Sequence, residues 1–226
     1  MAQSGNTEGQ KSMSTATVLT DRFDRALLYA SHVHGGQVRK GTAIPYIAHL
    51  LAVAATVLEY GGSEDMAIAG LLHDAVEDQG GEDRLNDIRN RFGDRVAGIV
   101  RSCSDSFVNV SGGKGKDDWE VQKARYLEHL KAVDAETLLV SLSDKVHNAR
   151  SILRDLRKPE IGIAVWNRFT KGKDGSLGYY KALADIFGEL LCGQPGKEQL
   201  AKELRHIVGE LHRDKSATVP QSARVT

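Results

Sequence analysis

Hydrophobic residues recur along most of the chain at spacings of three and four, the period that places them on one face of an α-helix. In the stretch 139–156 the apolar positions are spaced 3, 4, 3, 4 and 3, and a shorter stretch at 23–30 shows the same period. Thr20 and Asp134 precede these stretches, where a side-chain oxygen can cap the first backbone amides. We find no alternating strand pattern of useful length and no internal repeat. The sequence therefore predicts an all-α fold.

Glycines and prolines divide the remaining chain into further predicted helices. They cover residues 46–60, a central run ending near 79, two short amphipathic helices to about 100, 119–131, a short helix opened by Pro159, a helix from about 176, and a last helix to about 212. Residues 104–118, rich in glycine and lysine, form either a lid over an anionic substrate or a plain disordered loop. We predict roughly ten helices in one domain at 19–213, with disordered tails at 1–18 and 214–226.

Composition narrows the choice of ligands. The 30 basic and 30 acidic residues cancel, so the chain has no overall field for nucleic acid, and a polyanionic ligand needs a local basic cluster or a metal. No segment approaches the roughly 18 apolar residues that a membrane span requires, and the first residues are too polar for a signal peptide. Cys103 and Cys192 fit neither a zinc pattern nor a disulfide scaffold, which predicts a reducing, cytoplasmic setting.

The central run combines an apolar helix with a cluster of polar groups at its end. Residues 66–72 contain hardly a polar side chain, which predicts a helix buried on more than one face, and His73, Asp74, Glu77 and Asp78 follow directly. In a helix the three carboxylates stand at i, i+3 and i+4 and project to one side. Such a cluster needs a divalent cation or a water-filled cleft to offset repulsion and desolvation. A solvated last turn with a hydrogen-bonded core histidine is the alternative interpretation.

Other polar residues become candidates for a functional site only if they lie beside such a cluster. His49 falls in the first turn of a predicted helix, next to its apolar face, where most histidines are structural. Asp144 and Asn148 stand one turn apart, almost opposite the apolar stripe of the longest predicted helix, so they lie either on a solvated face or on a second packed face. Arg39 and Lys40 are adjacent in a loop. Alone they are surface charges, whereas beside a metal they would form an anion clamp.

Together, His49, the pair His73-Asp74 and the later Asp144 resemble the H…HD…D signature of the HD superfamily of metal-dependent phosphohydrolases. Five motifs resemble the hydrolase domain of the RelA/SpoT alarmone enzymes, and they lie at 37–41, 45–49, 71–78, 92–97 and 143–148. The resemblance extends from about residue 23 to 187, and no synthetase or regulatory domain is expected after it. The chain is thus similar to the stand-alone small alarmone hydrolases.

The resemblance implies roles for ten residues in three groups: the metal ligands His49, His73, Asp74 and Asp144, the catalytic acids Glu77 and Asp78, and the substrate-binding residues Arg39, Lys40, Asn148 and Tyr179. Tyr180 is an equal candidate for the last position. The implied metal is one Mn²⁺ ion, although zinc, iron or cobalt also accept nitrogen and oxygen ligands. The implied reaction removes the 3′-pyrophosphate of (p)ppGpp and leaves GDP or GTP, with the two acids orienting or deprotonating the attacking water.

Two alternative functions stay open at this point. One is the same chemistry on another phosphorylated nucleotide, such as (p)ppApp or NADPH, and the other is an alarmone-binding module that does not hydrolyse its ligand. In each case we expect a small-molecule nucleotide as the partner, with no nucleic acid and no membrane. A homo-oligomer is also conceivable, because the apolar side of the last predicted helix, with Leu200, Leu204 and Leu211, either packs internally or forms a dimer contact.

Overall fold

The computed structural model describes residues 16–104 and 118–213. The helices within these ranges are α1 (Asp21–Val33), α2 (Ile47–Glu59), α3 (Glu64–Leu72), α4 (Ala75–Asp78), α5 (Gly81–Phe92), α6 (Asp94–Cys103), α7 (Trp119–Leu130), α8 (Ala135–Leu156), a 3₁₀-helix (Gly162–Arg168), α9 (Gly172–Leu190) and α10 (Pro195–Arg213). The nearest approach to a strand in the described chain is an isolated antiparallel bridge between Val38 and Pro45. The predicted all-α fold is confirmed. None of the described helices is long and apolar enough to cross a membrane.

Helix α3 lies at the centre of the molecule. All its residues from Met66 to Leu72 are buried, and it packs against α1, α2, α6 and α8. Neighbours on several sides explain why this run has no polar face. At Gly70 a Cβ atom would lie only 3.3 Å from the Cα of Ala54 in α2. This glycine therefore permits the close approach of α2, which carries His49, and α3, which His73 directly follows.

Helix α8 passes through the molecule and is packed on both sides. Asp134 caps it, because its Oδ1 accepts a hydrogen bond from the backbone N–H of Thr137 at 2.8 Å. The predicted apolar stripe is buried, and so is the opposite side at Ser143 and Asp144, which are 0% and 6% exposed. The solvated-face interpretation is therefore wrong for Asp144.

Helix α10 resolves an alternative that the sequence left open. Its apolar residues are buried, and the helix packs against α8 and α9. The side that includes Leu200, Leu204 and Leu211 thus belongs to the core of this chain. Since that side is covered, it offers no dimer contact.

Three predicted elements differ from the structure. The central helix is interrupted after Leu72, and the short α4 resumes at Ala75. The helix placed after Pro159 is a 3₁₀-helix that begins at Gly162. Helix α9 begins at Gly172 rather than near residue 176, because packing against α7, α10 and the 3₁₀-helix overrides the low helix propensity of its glycines.

The predicted tails lie outside the described residues except at 16–18. There the hydroxyl of Thr17 donates a hydrogen bond to the carbonyl of Gly62 at 2.9 Å. Residues 105–117 also lie outside the described ranges, so the choice between a lid and a disordered loop at 104–118 stays as the sequence left it.

Candidate metal centre and nucleotide cavity

The four side chains with metal-binding chemistry converge from three parts of the fold. His49 lies in the first turn of α2, His73 and Asp74 lie between α3 and α4, and Asp144 lies in the middle of α8. The Nε2 atom of His49 is 3.4 Å from Asp74 Oδ2 and 3.2 Å from Asp144 Oδ1. The Nε2 atom of His73 is 3.0 Å and 3.7 Å from the same two oxygens. Two imidazoles and two carboxylates therefore face one another in a nearly sealed space.

The interruption between α3 and α4 allows adjacent residues to meet at one point. In an uninterrupted helix, successive side chains diverge by about 100° around the axis. Here α3 ends at Leu72, and Asp74 has a ψ of -8° as it starts the short α4. With this local change, both His73 and Asp74 reach the same space as His49.

The histidines fit a metal because each has one nitrogen committed and one nitrogen available. The Nδ1 of His73 is 2.9 Å from the carbonyl oxygen of Gly70, an acceptor, so Nδ1 donates its proton there. Burial opposes a charge on His73, but Asp74 and Asp144 raise its pKa well above the usual value, and loss of the second proton would present the Nε2 lone pair to a metal. The Nε2 atoms of His49 and His73 are buried without a hydrogen bond of acceptable geometry to any described residue. Leaving such atoms unpaired is costly. A divalent cation would satisfy both.

The carboxylates fit the same cation. Burial alone would raise the pKa of Asp74, but His73 and His49 hold that pKa well below its usual value. Burial likewise opposes ionisation of Asp144, whose pKa Lys145, His49 and His73 hold well below its usual value. Both groups are therefore anionic at neutral pH. Ligand atoms of His49, His73 and Asp74 all lie within 4.8 Å of one another, and this group could hold a metal ion.

Two residues that the sequence analysis did not select orient the cluster. The Nδ1 atoms of His49 and His147 are 2.7 Å apart. Burial, with His49 and Arg39 nearby, lowers the pKa of His147 to about 3, so this imidazole is neutral and its Nδ1 can accept the proton of His49. The hydroxyl of Tyr46 donates to Asp74 Oδ2 at 2.6 Å. Both lie three residues from a ligand on the same helical side, a spacing that could have identified them.

Asn148 connects the centre to the basic loop. Asp144 accepts hydrogen bonds from Asn148 Nδ2 at 2.5 Å and from Lys145 Nζ at 2.8 Å. Arg39 Nη2 donates to Asn148 Oδ1 at 2.5 Å, and the loop closes where the N–H of Arg39 donates to the carbonyl of Ile44 at 2.8 Å. The structure therefore brings Arg39 and Asn148 to the cluster as a connected pair.

Glu77 and Asp78 lie on α4 with exposed side chains. Ser104 Oγ donates to Glu77 Oε1 at 3.0 Å, and Gln37 Nε2 donates to Asp78 Oδ2 at 2.7 Å. Gln37 is itself held, since its Oε1 is 2.8 Å from the Nδ1 of buried His34. The two acids are thus solvated but oriented by neighbours, a combination that neither sequence interpretation described.

A cavity of about 570 Å³ adjoins the centre. Of the predicted substrate residues, Arg39, Lys40, Asn148 and Tyr179 all line it. Its basic lining residues are Arg39, Lys40, Lys123, Lys145, Arg154, Arg168 and Lys171, and its one acidic lining residue is Asp155. Such an excess of positive charge in a concave site attracts an anionic ligand.

An aromatic wall bounds the cavity on the side of α7 and α9. The rings of Trp119 and Tyr179 meet edge to face with centroids 5.9 Å apart, and Lys123 Nζ lies 5.1 Å from the centroid of the Tyr179 ring. Tyr179 is partly exposed, whereas Tyr180 is 7% exposed. Trp119 and Lys123 lacked any motif in the sequence, so only the fold assigns them to this wall.

The fold and the paired histidines and aspartates define an all-α protein of the HD type. The family model described as "HD domain" matches residues 26–169, well over half of the chain. The chain belongs to the HD-domain family.

Among curated relatives, this chain is similar to three bacterial proteins of alarmone metabolism. It is 33% identical over 143 residues to the guanosine-3′,5′-bis(diphosphate) 3′-pyrophosphohydrolase of Aquifex aeolicus, covering 62% of this chain and 19% of that protein. It is 35% identical over 131 residues to the GTP pyrophosphokinase of Streptomyces coelicolor, covering 58% and 15%. It is 32% identical over 133 residues to the bifunctional (p)ppGpp synthase/hydrolase SpoT of Escherichia coli, covering 58% and 18%. The chain thus spans less than a fifth of the length of these relatives.

Two solved structures match nearly over their full lengths. A metazoan ortholog of SpoT, described as hydrolysing ppGpp, superposes with a TM-score of 0.66 at 25% identity, covering 86% of this chain and 98% of that one. A protein of Listeria monocytogenes superposes with a TM-score of 0.58 at 29% identity, covering 74% and 99%. The shared fold therefore includes a ppGpp hydrolase of similar size.

Proposed function

We propose that this chain is a metal-dependent phosphohydrolase that removes the 3′-pyrophosphate of (p)ppGpp and leaves GDP or GTP. The observation that carries the proposal is the meeting of His49, His73, Asp74 and Asp144 beside a basic cavity. The name of the Aquifex aeolicus relative and the described activity of the metazoan SpoT ortholog support the choice of substrate. The same match to a hydrolase favours turnover over simple alarmone binding.

His49, His73, Asp74 and Asp144 would hold one divalent metal, and we propose Mn²⁺. Two neutral imidazoles and two carboxylates offset its charge and leave positions open on a six-coordinate ion. Once bound, such an ion lowers the pKa of a water molecule and polarises a phosphoryl oxygen.

The acids on α4 would move the proton of the attacking water. Glu77 and Asp78 are exposed and oriented by Ser104 and Gln37, so a carboxylate can take a proton and release it to solvent. Attack by that water at the phosphorus joined to the ribose 3′ oxygen would form a new P–O bond and break the bond between this phosphorus and the 3′ oxygen. The 3′ oxygen would take up a proton, from the acid pair or from solvent, to become a hydroxyl, and pyrophosphate would be released.

The basic loop would bind the 3′-pyrophosphate group. Arg39, held by Asn148, presents a planar guanidinium to phosphate oxygens, and exposed Lys40 adds a second positive charge in the same cavity. Their positive charge offsets the negative charge of the pyrophosphate, which would otherwise repel an anionic nucleophile. Tyr179, beside Trp119, offers a ring on which the base can stack.

The test is metal-dependent product formation. Protein stripped with chelator is supplied with Mn²⁺ and ppGpp, and the nucleotides are separated by anion exchange. We expect GDP and pyrophosphate from the reconstituted protein only. A parallel panel with ppApp and NADPH measures base and substrate preference. Intact ppGpp together with cleavage of another nucleotide would reassign the substrate, and intact nucleotides throughout would refute hydrolysis.

We further propose a cytoplasmic setting, since Cys103 and Cys192 form no disulfide, as expected in a reducing compartment. The proposed partner of this protein is the nucleotide substrate itself. Native mass spectrometry of the purified chain would establish whether it forms a homo-oligomer.

A further inference from the structure

One side of α8 connects the metal centre to the far end of the cavity. Asp144, Asn148 and Asp155 lie at i, i+4 and i+11, so they fall within a narrow sector of the helix. Eleven residues of helix rise about 16 Å. Asn148 and Asp155 both line the cavity, which therefore extends well beyond the centre along this helix. A ligand held at the centre by one phosphate group can reach basic residues at the other end.

At that far end, Asp155 holds the side chain of Arg168. Asp155 is 2% exposed, and its Oδ2 accepts a hydrogen bond from Arg168 Nη1 at 2.6 Å. Burial alone would raise the pKa of Asp155, but Arg168 and Lys158 hold it below its usual value. The carboxylate is therefore ionised. It gives the guanidinium of Arg168 a defined position while 20% of that side chain is still exposed.

The basic loop holds Arg168 from the other side. A Cβ atom on Gly41 would lie 2.8 Å from Arg168 Nε and 3.1 Å from its Cδ, and Gly41 has a φ of +70°. The loop backbone can pack this closely only because residue 41 has no side chain. Arg168 is thus fixed between α8 and the loop that carries Arg39 and Lys40. A guanidinium fixed in this way loses little freedom when it binds phosphate.

The positive charges divide between the two ends of the cavity. At the near end, Lys145 donates directly to Asp144. Arg39 is connected to Asp144 through Asn148. Arg168 and Arg154 both contact Asp155, at 2.6 Å and 3.5 Å, and supply positive charge at the other end of the cavity.

We propose that Arg168, held by Asp155 and Gly41, is a second anion subsite that binds the 5′-phosphate groups of the nucleotide. This inference rests on the proposed function, and it specifies the substrate class as nucleotides with phosphates at both the 3′ and 5′ ends.

The kinetic test compares two substrates that differ only at the 5′ end, ppGpp and guanosine 3′-diphosphate with a free 5′-hydroxyl. In Arg168→Gln we expect the KM for ppGpp to rise about tenfold to a hundredfold, the range of a lost charge-assisted hydrogen bond. The KM for the 5′-hydroxyl substrate and both kcat values should stay within about twofold. An equal rise in KM for both substrates, or no rise, would overturn the subsite and leave a structural ion pair.

Two further variants separate binding from folding. Asp155→Asn/Arg168→Gln removes both charges and leaves no uncompensated buried carboxylate, and it should show the same loss of 5′ selectivity. Arg157→Gln is the matched control. Arg157 directly follows the last residue of α8, pairs with Glu210 at 3.0 Å and has a side chain 55% exposed, so this change should leave both KM values as in the wild type.

An equilibrium binding measurement tests the subsite without relying on turnover. Calorimetry of the metal-free wild type should show tighter binding of GDP than of guanosine, and Arg168→Gln should abolish the difference. If the wild type cleaves no ppGpp but shows this GDP preference, the proposed function fails and the subsite stands. If wild type and variant bind GDP equally, the subsite is refuted whatever the activity.

Discussion

Each imidazole of the candidate centre is held in one orientation by the contact that its Nδ1 makes. His73 uses the carbonyl of Gly70, a backbone group that substitution cannot remove. His49 uses the side chain of His147. A partner of this kind fixes ring orientation and leaves Nε2 as the metal-binding atom. His49 is therefore the proposed ligand whose geometry depends on a replaceable residue.

Replacement of His147 by phenylalanine should weaken metal binding about tenfold to a hundredfold. The change keeps an aromatic ring, slightly larger than imidazole, but His49 loses its acceptor and is free to adopt the wrong tautomer. Manganese titration followed by electron paramagnetic resonance measures the change, and His147→Gln, which retains an acceptor oxygen, should recover part of the affinity. His206 is 70% exposed on α10, so His206→Phe is the control. Unchanged affinity in His147→Phe would remove the orienting role.

The two kinds of carboxylate should be separable by mutation. Asp74→Asn should lose both metal and activity, because Asp74 lies against both histidines. Glu77→Gln should keep the metal and lose turnover by about 10² or more if this residue acts as the general base. Metal content and kcat are measured on the same preparations. Full turnover in Glu77→Gln would transfer the proton-transfer role to Asp78.

Among the elements, the contact of α2 with α3 sets the spacing between His49 and His73. The contact depends on Gly70, where a Cβ atom would meet backbone atoms of Ala54 at 3.3 to 3.4 Å. These backbone atoms cannot rotate away from a new Cβ atom as the end of a flexible side chain can. A small change at this residue therefore acts on two helices at once.

Gly70→Ala should destabilise the fold by about 1 to 3 kcal/mol through overpacking. Urea denaturation followed by circular dichroism measures the free energy of unfolding. Gly98 in α6 is the matched control, because a Cβ atom there meets nothing within 4 Å. Gly98→Ala should be neutral or stabilise by up to about 1 kcal/mol through helix propensity. Equal stability of Gly70→Ala and wild type would show that α2 and α3 separate without cost.

Most helices were predictable because their causes are local. Thr20 and Asp134 cap α1 and α8, and the apolar period of 139–156 matches the buried stripe of α8. The interruption at His73 and Asp74 was not predictable, since both residues have helix-compatible neighbours and no glycine or proline marks a break. The contacts of Asp74 with His49 and Tyr46, which come from a different helix, accompany the break.

Across the whole molecule, a bound metal would connect α2, the junction of α3 with α4, and α8. Those segments are distant in the sequence, so a ligand that binds only the folded chain should stabilise the whole. At a Mn²⁺ concentration a hundredfold above its Kd, the gain is about 2.7 kcal/mol, or roughly 5 to 10 °C in Tm for a domain of this size. Differential scanning fluorimetry with and without chelator measures it. Asp74→Asn should show little shift, and a wild-type Tm indifferent to Mn²⁺ would contradict the four-ligand centre.

The distribution of charge also belongs to the whole molecule. The chain has 30 basic and 30 acidic residues, yet its main cavity has seven basic lining residues and one acidic one. The sequence marks only Arg39, through its basic neighbour Lys40. Lys123 and Arg168 come from α7 and from the 3₁₀-helix, and packing brings them to the same cavity.

The sequence by itself determined the all-α fold and most helix limits, because helical periodicity and caps are properties of short segments, and its resemblance to the HD superfamily supplied the ten residues proposed for the site. Only the tertiary structure decided that Asp144 is buried, that α10 covers the core, that His147 and Tyr46 orient the centre, and that Arg168 stands at the far end of a basic cavity. Each of these depends on contacts between segments far apart in the chain, and local spacing carries no information about which distant side chains packing will bring together.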